Sequence, residues 1–287
     1  MSILLDGLSL GAIYALIALG YTMVYGIAKL LNFAHGDIIM VGAYAILVTL
    51  NITGSPWVGI LVSIVVCTLA GVVIERLAYK PLRGASPLAV LITAIGVSYF
   101  LQSVAQLIFG AQSRPVTLPA FRKVNIAGAQ ISTGTIITLV VGALIMAALT
   151  LFVGRTRTGR AMQAVSEDRG AAQLMGINVN RIIMITFAIG SALAAFASLF
   201  YLMQIPSTSP TLGAMPGIKA FTAAVIGGIG SIPGAMIGGV LLGLIEKICL
   251  SVPAISAYTT AIEFSLLILI LLVKPIGILG KKRRVKV

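Results

Sequence analysis

Charge is scarce in this sequence. Only 9% of its 287 residues are Asp, Glu, Lys or Arg, against roughly 25% in a soluble domain, while 59% are hydrophobic and the mean hydropathy is +1.10. Water is thereby excluded as the main solvent. Acid is scarcer still: it comprises Asp6, Asp37, Glu75, Glu167, Asp168, Glu246 and Glu263, and each is expected near the end of an apolar run or in a loop. Ion- and proton-coupled carriers keep ionisable groups at membrane depth, where they do the coupling. With none expected at mid-depth here, the chain is expected not to power movement by itself.

Other absences narrow the class. There is no G-x-x-x-x-G-K-[ST] loop, whose amides and lysine would cradle a nucleotide, so any ATP hydrolysis must come from a partner. One histidine, His35, and no H-E-x-x-H or G-x-S-x-G argue against an embedded enzyme, and neither metal nor cofactor is expected. Cys67 and Cys249 both sit inside apolar segments, too far apart for a metal knuckle, and suit packing better than a disulfide. The net charge of +13 could suggest nucleic acid. Its basic residues cluster in short loops between apolar runs and in the tail Lys281, Lys282, Arg283, Arg284 and Lys286, a pattern that fits topology signals beside membrane lipid instead. No basic n-region precedes the first apolar run, which is expected to stay as a span.

What is present is a series of apolar runs at 7–27, 34–50, 57–77, 88–108, 135–153, 182–203, 219–250 and 258–273. A spanning helix needs about 20 mainly apolar residues. The expected fold is all-α and polytopic, a single membrane domain over 1–287 with about 8–10 transmembrane helices. Loops 78–87, with Lys80 and Arg83, and 154–181, with Arg155, Arg157, Arg160, Arg169 and Arg181, are cytoplasmic by the positive-inside rule. The N-terminus is then outside, and 109–134 is the longest outer loop despite Arg114, Arg122 and Lys123. The basic tail, 274–287, ends up cytoplasmic only if 219–250 crosses twice, and Pro233 after Ser231 and Ile232 offers the break, because proline removes a helix donor.

Irregular backbone at membrane depth must be buried in protein or line a cavity. Gly227, Gly228, Gly230, Pro233 and Gly234 are therefore pathway or helix-break candidates. Gly230, Gly234 and Gly238 recur on one helical face, with Gly239 and Gly243 repeating the spacing, and close helix packing explains them equally well. Asn32 can cap the second span with Asp37 in its first turns, where the helix dipole favours an anion; His35 could instead line the inner mouth. Gln102 and Gln106 share a helical face, suited to an interhelical hydrogen bond or to a pore lining.

In the loop 154–181, Ser166 is a plausible N-cap, Glu167 and Asp168 complement the dipole in the first turn, and Gly176 is a natural stop. The short helix between them carries Ala171, Leu174 and Met175 on one side, with Asp168 and Arg169 beside that face. A helix this short is marginal in water. Its apolar side is expected to bury against the membrane domain or another protein, unless the loop is simply solvated.

Four stretches carry a family likeness: NFAHGDIIMVGAY at 32–44, IERLAYKPLRGAS at 74–86, EDRGAAQLMGINVNRI at 167–182 and KAFTAAVIGGIGSIPGAMIGG at 219–239. Through them the chain resembles, over nearly its whole length, the LivH-type permease subunits of branched-chain amino acid ABC transporters. The resemblance implies a multi-pass permease of the plasma (inner) membrane for leucine, isoleucine or valine. It also implies a second, LivM-type permease, two ATP-binding subunits and an extracytoplasmic substrate-binding protein as partners. The segment Glu167 to Gly176 would be the coupling helix that docks in the ATPase. N-F-A-H-G at 32–36 favours the H-type over the M-type subunit. Urea permeases share much of the pattern but many look longer at the N-terminus, and urea is the runner-up substrate. A self-contained channel or secondary carrier is the rival of another class.

Overall fold

The computed structural model describes residues 2–119, 121–126 and 129–280. Helix α1 (Ser2–Ala28) has no polar face, and its middle, Ile13 through Leu19, is buried on every side. A helix hydrophobic all round belongs in the centre of a bundle. Around it stand α2 (His35–Thr53), α3 (Pro56–Ile74, extended by a π-helical turn Glu75–Tyr79) and α4 (Pro87–Phe109). A short strand β1 (Arg114–Pro115) and a hairpin of β2 (Lys123–Ile126) and β3 (Ala129–Ser132) lead to α5 (Thr133–Arg155). Two short helices follow, α6 (Arg157–Glu167) and α7 (Arg169–Leu174), before the long α8 (Val179–Gln204). The chain ends with β4 (Ser207–Thr208), which pairs antiparallel with β1, then α9 (Ala214–Gly227), α10 (Ile232–Ser251) and α11 (Thr259–Val273).

Helix starts follow local chemistry. Ser86 accepts from Ala89 N ahead of α4, and Ser231 from Gly234 N ahead of α10, with Pro87 and Pro233 in the first turns. Proline is harmless there because that N–H has no helical acceptor anyway.

Two ends of the bundle can be told apart. Thr135 at the start of α5 donates to Asp6 at the start of α1 (3.3 Å), beside the β2–β3 hairpin; this is the hairpin end. Arg169 of α7 bonds the carbonyl of Ala28, where α1 finishes; this is the α7 end. Arg83 bonds Asn180 near the start of α8, so the two basic loops meet at the α7 end, as their shared charge requires.

The stretch 219–250 does turn back on itself, though not as two short segments. Helix α10 is a full 20 residues, while α9 has 14, about 21 Å of helix and too short to span. The turn between them uses Gly228 (φ +109°) and Gly230 (φ +93°), backbone angles that only glycine adopts freely. The glycines of α10 serve two faces. A Cβ at Gly238 would run into the carbonyl of Ala223 on α9, and one at Gly239 or Gly243 into α1 at Ala15 or Gly11. Small residues thus let α10 wedge between α1 and α9. Cys67 and Cys249 are buried and unpaired, in keeping with packing roles; the Cys67 thiol points to the Ile38 carbonyl (3.4 Å).

Among the described residues, eight helices are long and apolar enough to cross a membrane, with α9 a shorter apolar one. The protein is a multi-pass membrane protein. Residues 274–280 return to the α9–α10 turn, where Ile278 N and Leu279 N donate to Ile226 and Gly227 (2.8 and 2.9 Å). That turn lies at the α7 end, since Gly230 packs on Gly26. The tail lysines and arginines from 281 onward lie outside the described residues.

Candidate functional site

Helix α2 begins inside the bundle, not level with the end of α1. After α1 the chain turns at Lys29 (φ 53°) and re-enters the bundle, so that the His35 ring lies on Gly20 and edge-on to Tyr21 (4.9 Å between centroids). Gly20 is two helical turns before the end of α1, roughly 12 Å into the layer. Gly36 crosses the backbone of Gly213 and Gly217 with no room for a Cβ on any of the three. Two non-helical stretches, 29–34 and 205–213, therefore meet next to His35.

Asn32 is not the cap expected of it. The N-cap of α2 is Ala34, and the Asn32 side-chain Oδ1 instead accepts from the Tyr79 hydroxyl (2.9 Å). A tyrosine buried at the end of α3 needs an acceptor, and Asn32 supplies it. Asp37 does occupy the first turn of α2 and accepts from Gln102 Nε2 (2.9 Å), which also contacts Ser98 Oγ (3.3 Å). Gln106, one turn on, is exposed. Asn32 Nδ2 and His35 Nε2 in this cluster, and Thr22 Oγ1 two residues beyond Gly20, are buried with no hydrogen-bond partner among the described residues, so this part of the interior keeps polar capacity to spare. Gly227, Gly228, Gly230, Pro233 and Gly234 are not brought to this cluster; they shape the α9–α10 turn at the α7 end.

The bundle also holds ionisable groups that the acid count did not anticipate. Lys219 of α9 bridges Glu246 of α10 (2.7 Å) and Glu263 of α11 (3.2 Å), and Tyr14 of α1 donates to Glu246 (2.7 Å). The Glu263 side chain is 1% exposed. By position Glu246 and Glu263 sit about one turn in from the ends of their helices, yet with Asp37 they are packed inside the bundle. The expectation of nothing titratable inside is corrected: α2 and α9 start partway along the bundle and carry Asp37 and Lys219 into it, and Lys219 holds Glu246 and Glu263 there. Lys219 was the missed signal: a lone lysine in AMPGIKAFTAAVI cannot stay in hydrocarbon unpaired.

The loop 154–181 holds two helices, not one. Ser166 lies in α6 and donates to the Gln163 carbonyl (2.7 Å), while Glu167 ends that helix. The cap of α7 is Asp168, whose Oδ1 accepts from Ala171 N (3.0 Å). Gly176 (φ +81°) closes α7 as expected. Ala172 is the residue that packs inward; Ala171, Leu174 and Met175 face out, the last two 90% and 82% exposed. Arg169 is pinned to the end of α1, and burial together with Arg83 lowers its pKa. The α7 end thus presents a braced helix with a bare apolar tip.

Comparison with known proteins places this architecture. The model of the family described as "Branched-chain amino acid transport system / permease component" matches residues 3–272. The chain is similar to the high-affinity branched-chain amino acid transport system permease protein BraD of Pseudomonas aeruginosa, at 46% identity covering 99% of this chain and 97% of that one. It is similarly 45% identical to the LivH permease protein of Escherichia coli K12, over 98% and 96% of the two chains. Among solved structures, PsaBC from Streptococcus pneumoniae in complex with Fab aligns with a TM-score of 0.50 over 94% of this chain and 91% of that one; at 17% identity it speaks to the fold alone. The long central helix, the half-length α9 and the braced loop helix are thus those of a permease, and the chain belongs to the branched-chain amino acid transport system permease family.

Proposed function

We propose that this chain is a permease subunit of an ATP-driven importer for branched-chain amino acids in the plasma (inner) membrane. The observation that carries this is likeness over almost the whole chain to permease proteins of branched-chain amino acid transport systems. ATP hydrolysis belongs to two ATP-binding partners, a second related permease completes the pathway, and an extracytoplasmic binding protein delivers substrate. The α7 end faces the cytoplasm. Helix α7 is the coupling element: Leu174 and Met175 supply an apolar knob, and the contacts of Asp168 and Arg169 hold it in place. The pathway runs past Asn32, His35, Asp37 and Gln102, where broken backbone and unpartnered polar atoms gather.

Buried charge keeps one other class in view. A lysine held by two glutamates suits a fixed structural cluster; a coupling site in a self-contained carrier is the rival reading. Liposomes holding the purified chain alone decide between them. No ATP hydrolysis and no leucine uptake are expected until the ATP-binding and permease partners are added; robust uptake by the chain alone, without nucleotide, would overturn the proposal.

A further inference from the structure

The basic residues of the α7 end surround empty space. A cavity of about 500 Å³ lies between α7 and the start of α8, lined on its charged side by Arg83 and Arg169 and on its apolar side by Ile177, Val179 and Ile183. A smaller one of about 180 Å³ adjoins it at Asn178 and Asn180 and adds Arg76, Lys80 and Arg181, with Glu75 as its acid.

Glu75 is already committed. It pairs with Arg83, which also bonds Asn180, while Arg83 Nε is buried with no partner. Arg169 has only the Ala28 carbonyl, and among the described residues no carboxylate pairs with it. Glu75 offsets Arg83, while the Arg169 charge beside the same cavity is left without a counter-charge among the described residues. The positive end of the 26-residue α8 dipole adds to the same field. Across the two cavities five basic side chains, Arg76, Lys80, Arg83, Arg169 and Arg181, stand against one acid, Glu75, a field that favours an anion.

The walls say which kind. Arg83 and Asn178 sit where α3 and α8 leave the layer, and the apolar wall comes from residues entering a spanning helix. A phosphate diester with glycerol and acyl chains matches a basic rim over an aliphatic wall; a fully hydrated inorganic anion would leave that wall unused.

We propose that the paired cavities bind the phosphate of an anionic phospholipid, which bridges α7 to the start of α8. This rests on the α7 end lying at a leaflet surface, as proposed above, and not on the solute carried, so a failed uptake assay leaves it standing. Because the same Arg169 braces the helix that bears Leu174 and Met175, the lipid also steadies the docking knob.

The test uses the full chain in nanodiscs of phosphatidylcholine doped with phosphatidylglycerol, with lipids retained after detergent release counted by native mass spectrometry. Phosphatidylglycerol is expected to be retained over phosphatidylcholine. Arg169→Gln should weaken retention about fivefold, and Arg169→Gln with Arg181→Gln roughly twentyfold. Arg169→Lys, which keeps the charge, should hold most of it, and Arg122→Gln with Lys123→Gln at the hairpin end should change nothing. Equal retention of the two lipids, or an unchanged double variant, overturns the proposal. Displacement by millimolar inorganic phosphate would hand the site to a soluble anion, and loss of the lipid in the co-purified complex would hand it to the partner's surface; either result also overturns it.

Discussion

At the residue scale, the Lys219 cluster sets the clearest test, because its charges do not balance. One lysine faces two glutamates and a tyrosine hydroxyl, so with every group ionised the cluster carries a net negative charge inside the bundle. Removing the cation leaves two carboxylates facing each other, and breaking a buried pair this way costs about 3–5 kcal/mol. Lys219→Met is expected to lower the thermal unfolding midpoint of the purified chain sharply. Glu263→Gln brings the fully ionised count to zero and keeps an acceptor for Lys219, so its midpoint should match or exceed the native value. Equal losses in the two variants would mean that packing and not charge governs the site. This cluster could not be read from the sequence: Glu263 lies 44 positions from Lys219, and nothing local announces that α9 and α11 bring them together. The lone lysine did announce that it needed some partner.

Elements were more legible, for a physical reason. An apolar run long enough to span is a one-dimensional signal, and the eight long helices fall on the runs that carry it. What failed was local competition. Ser166 and Asp168 are both good caps, and the choice between them depends on α6, an amphipathic helix capped by Thr156 and packed through Met162 and Val165. Its mostly polar sequence gave no span signal, so α6 went unread and Ser166 was mistaken for a start. Two predictions belong here. Leu174→Asp with Met175→Asp should abolish co-purification of ATP-binding partners while leaving membrane insertion and thermal stability intact, since neither side chain packs on the bundle; undiminished co-purification would remove α7 from the docking role. On α10, Gly239→Ala drives a methyl into the Ala15 backbone and should destabilise the chain by about 1–3 kcal/mol. Gly96→Ala on α4 meets nothing within 4 Å and should be neutral in the same unfolding measurement.

For the whole molecule, the number of crossings decides which face each end presents. In the topology proposed here, the described helices α1 to α5, α8, the short α9 with its non-helical lead-in, α10 and α11 cross in turn, an odd number, which puts Ser2 and Gly280 on opposite sides. Charge then picks the side. Lys29, Arg76, Lys80, Arg83, Arg155, Arg157, Arg160, Arg169, Arg181 and Lys274 gather at the α7 end, against Arg114, Arg122, Lys123 and Lys247 at the hairpin end, and this excess is what supports the proposed cytoplasmic placement of the α7 end. Both native cysteines are buried, so single cysteines introduced at Gly84, Gly170 and Asn125 report with little background. In right-side-out vesicles an impermeant maleimide is expected to label Asn125→Cys and spare the other two; inverted vesicles should reverse the pattern. Labelling of Gly84→Cys and Asn125→Cys from the same side would mean that α4 does not cross. Labelling of Gly170→Cys from outside would invert the protein, and α7 would then face away from any cytoplasmic ATPase.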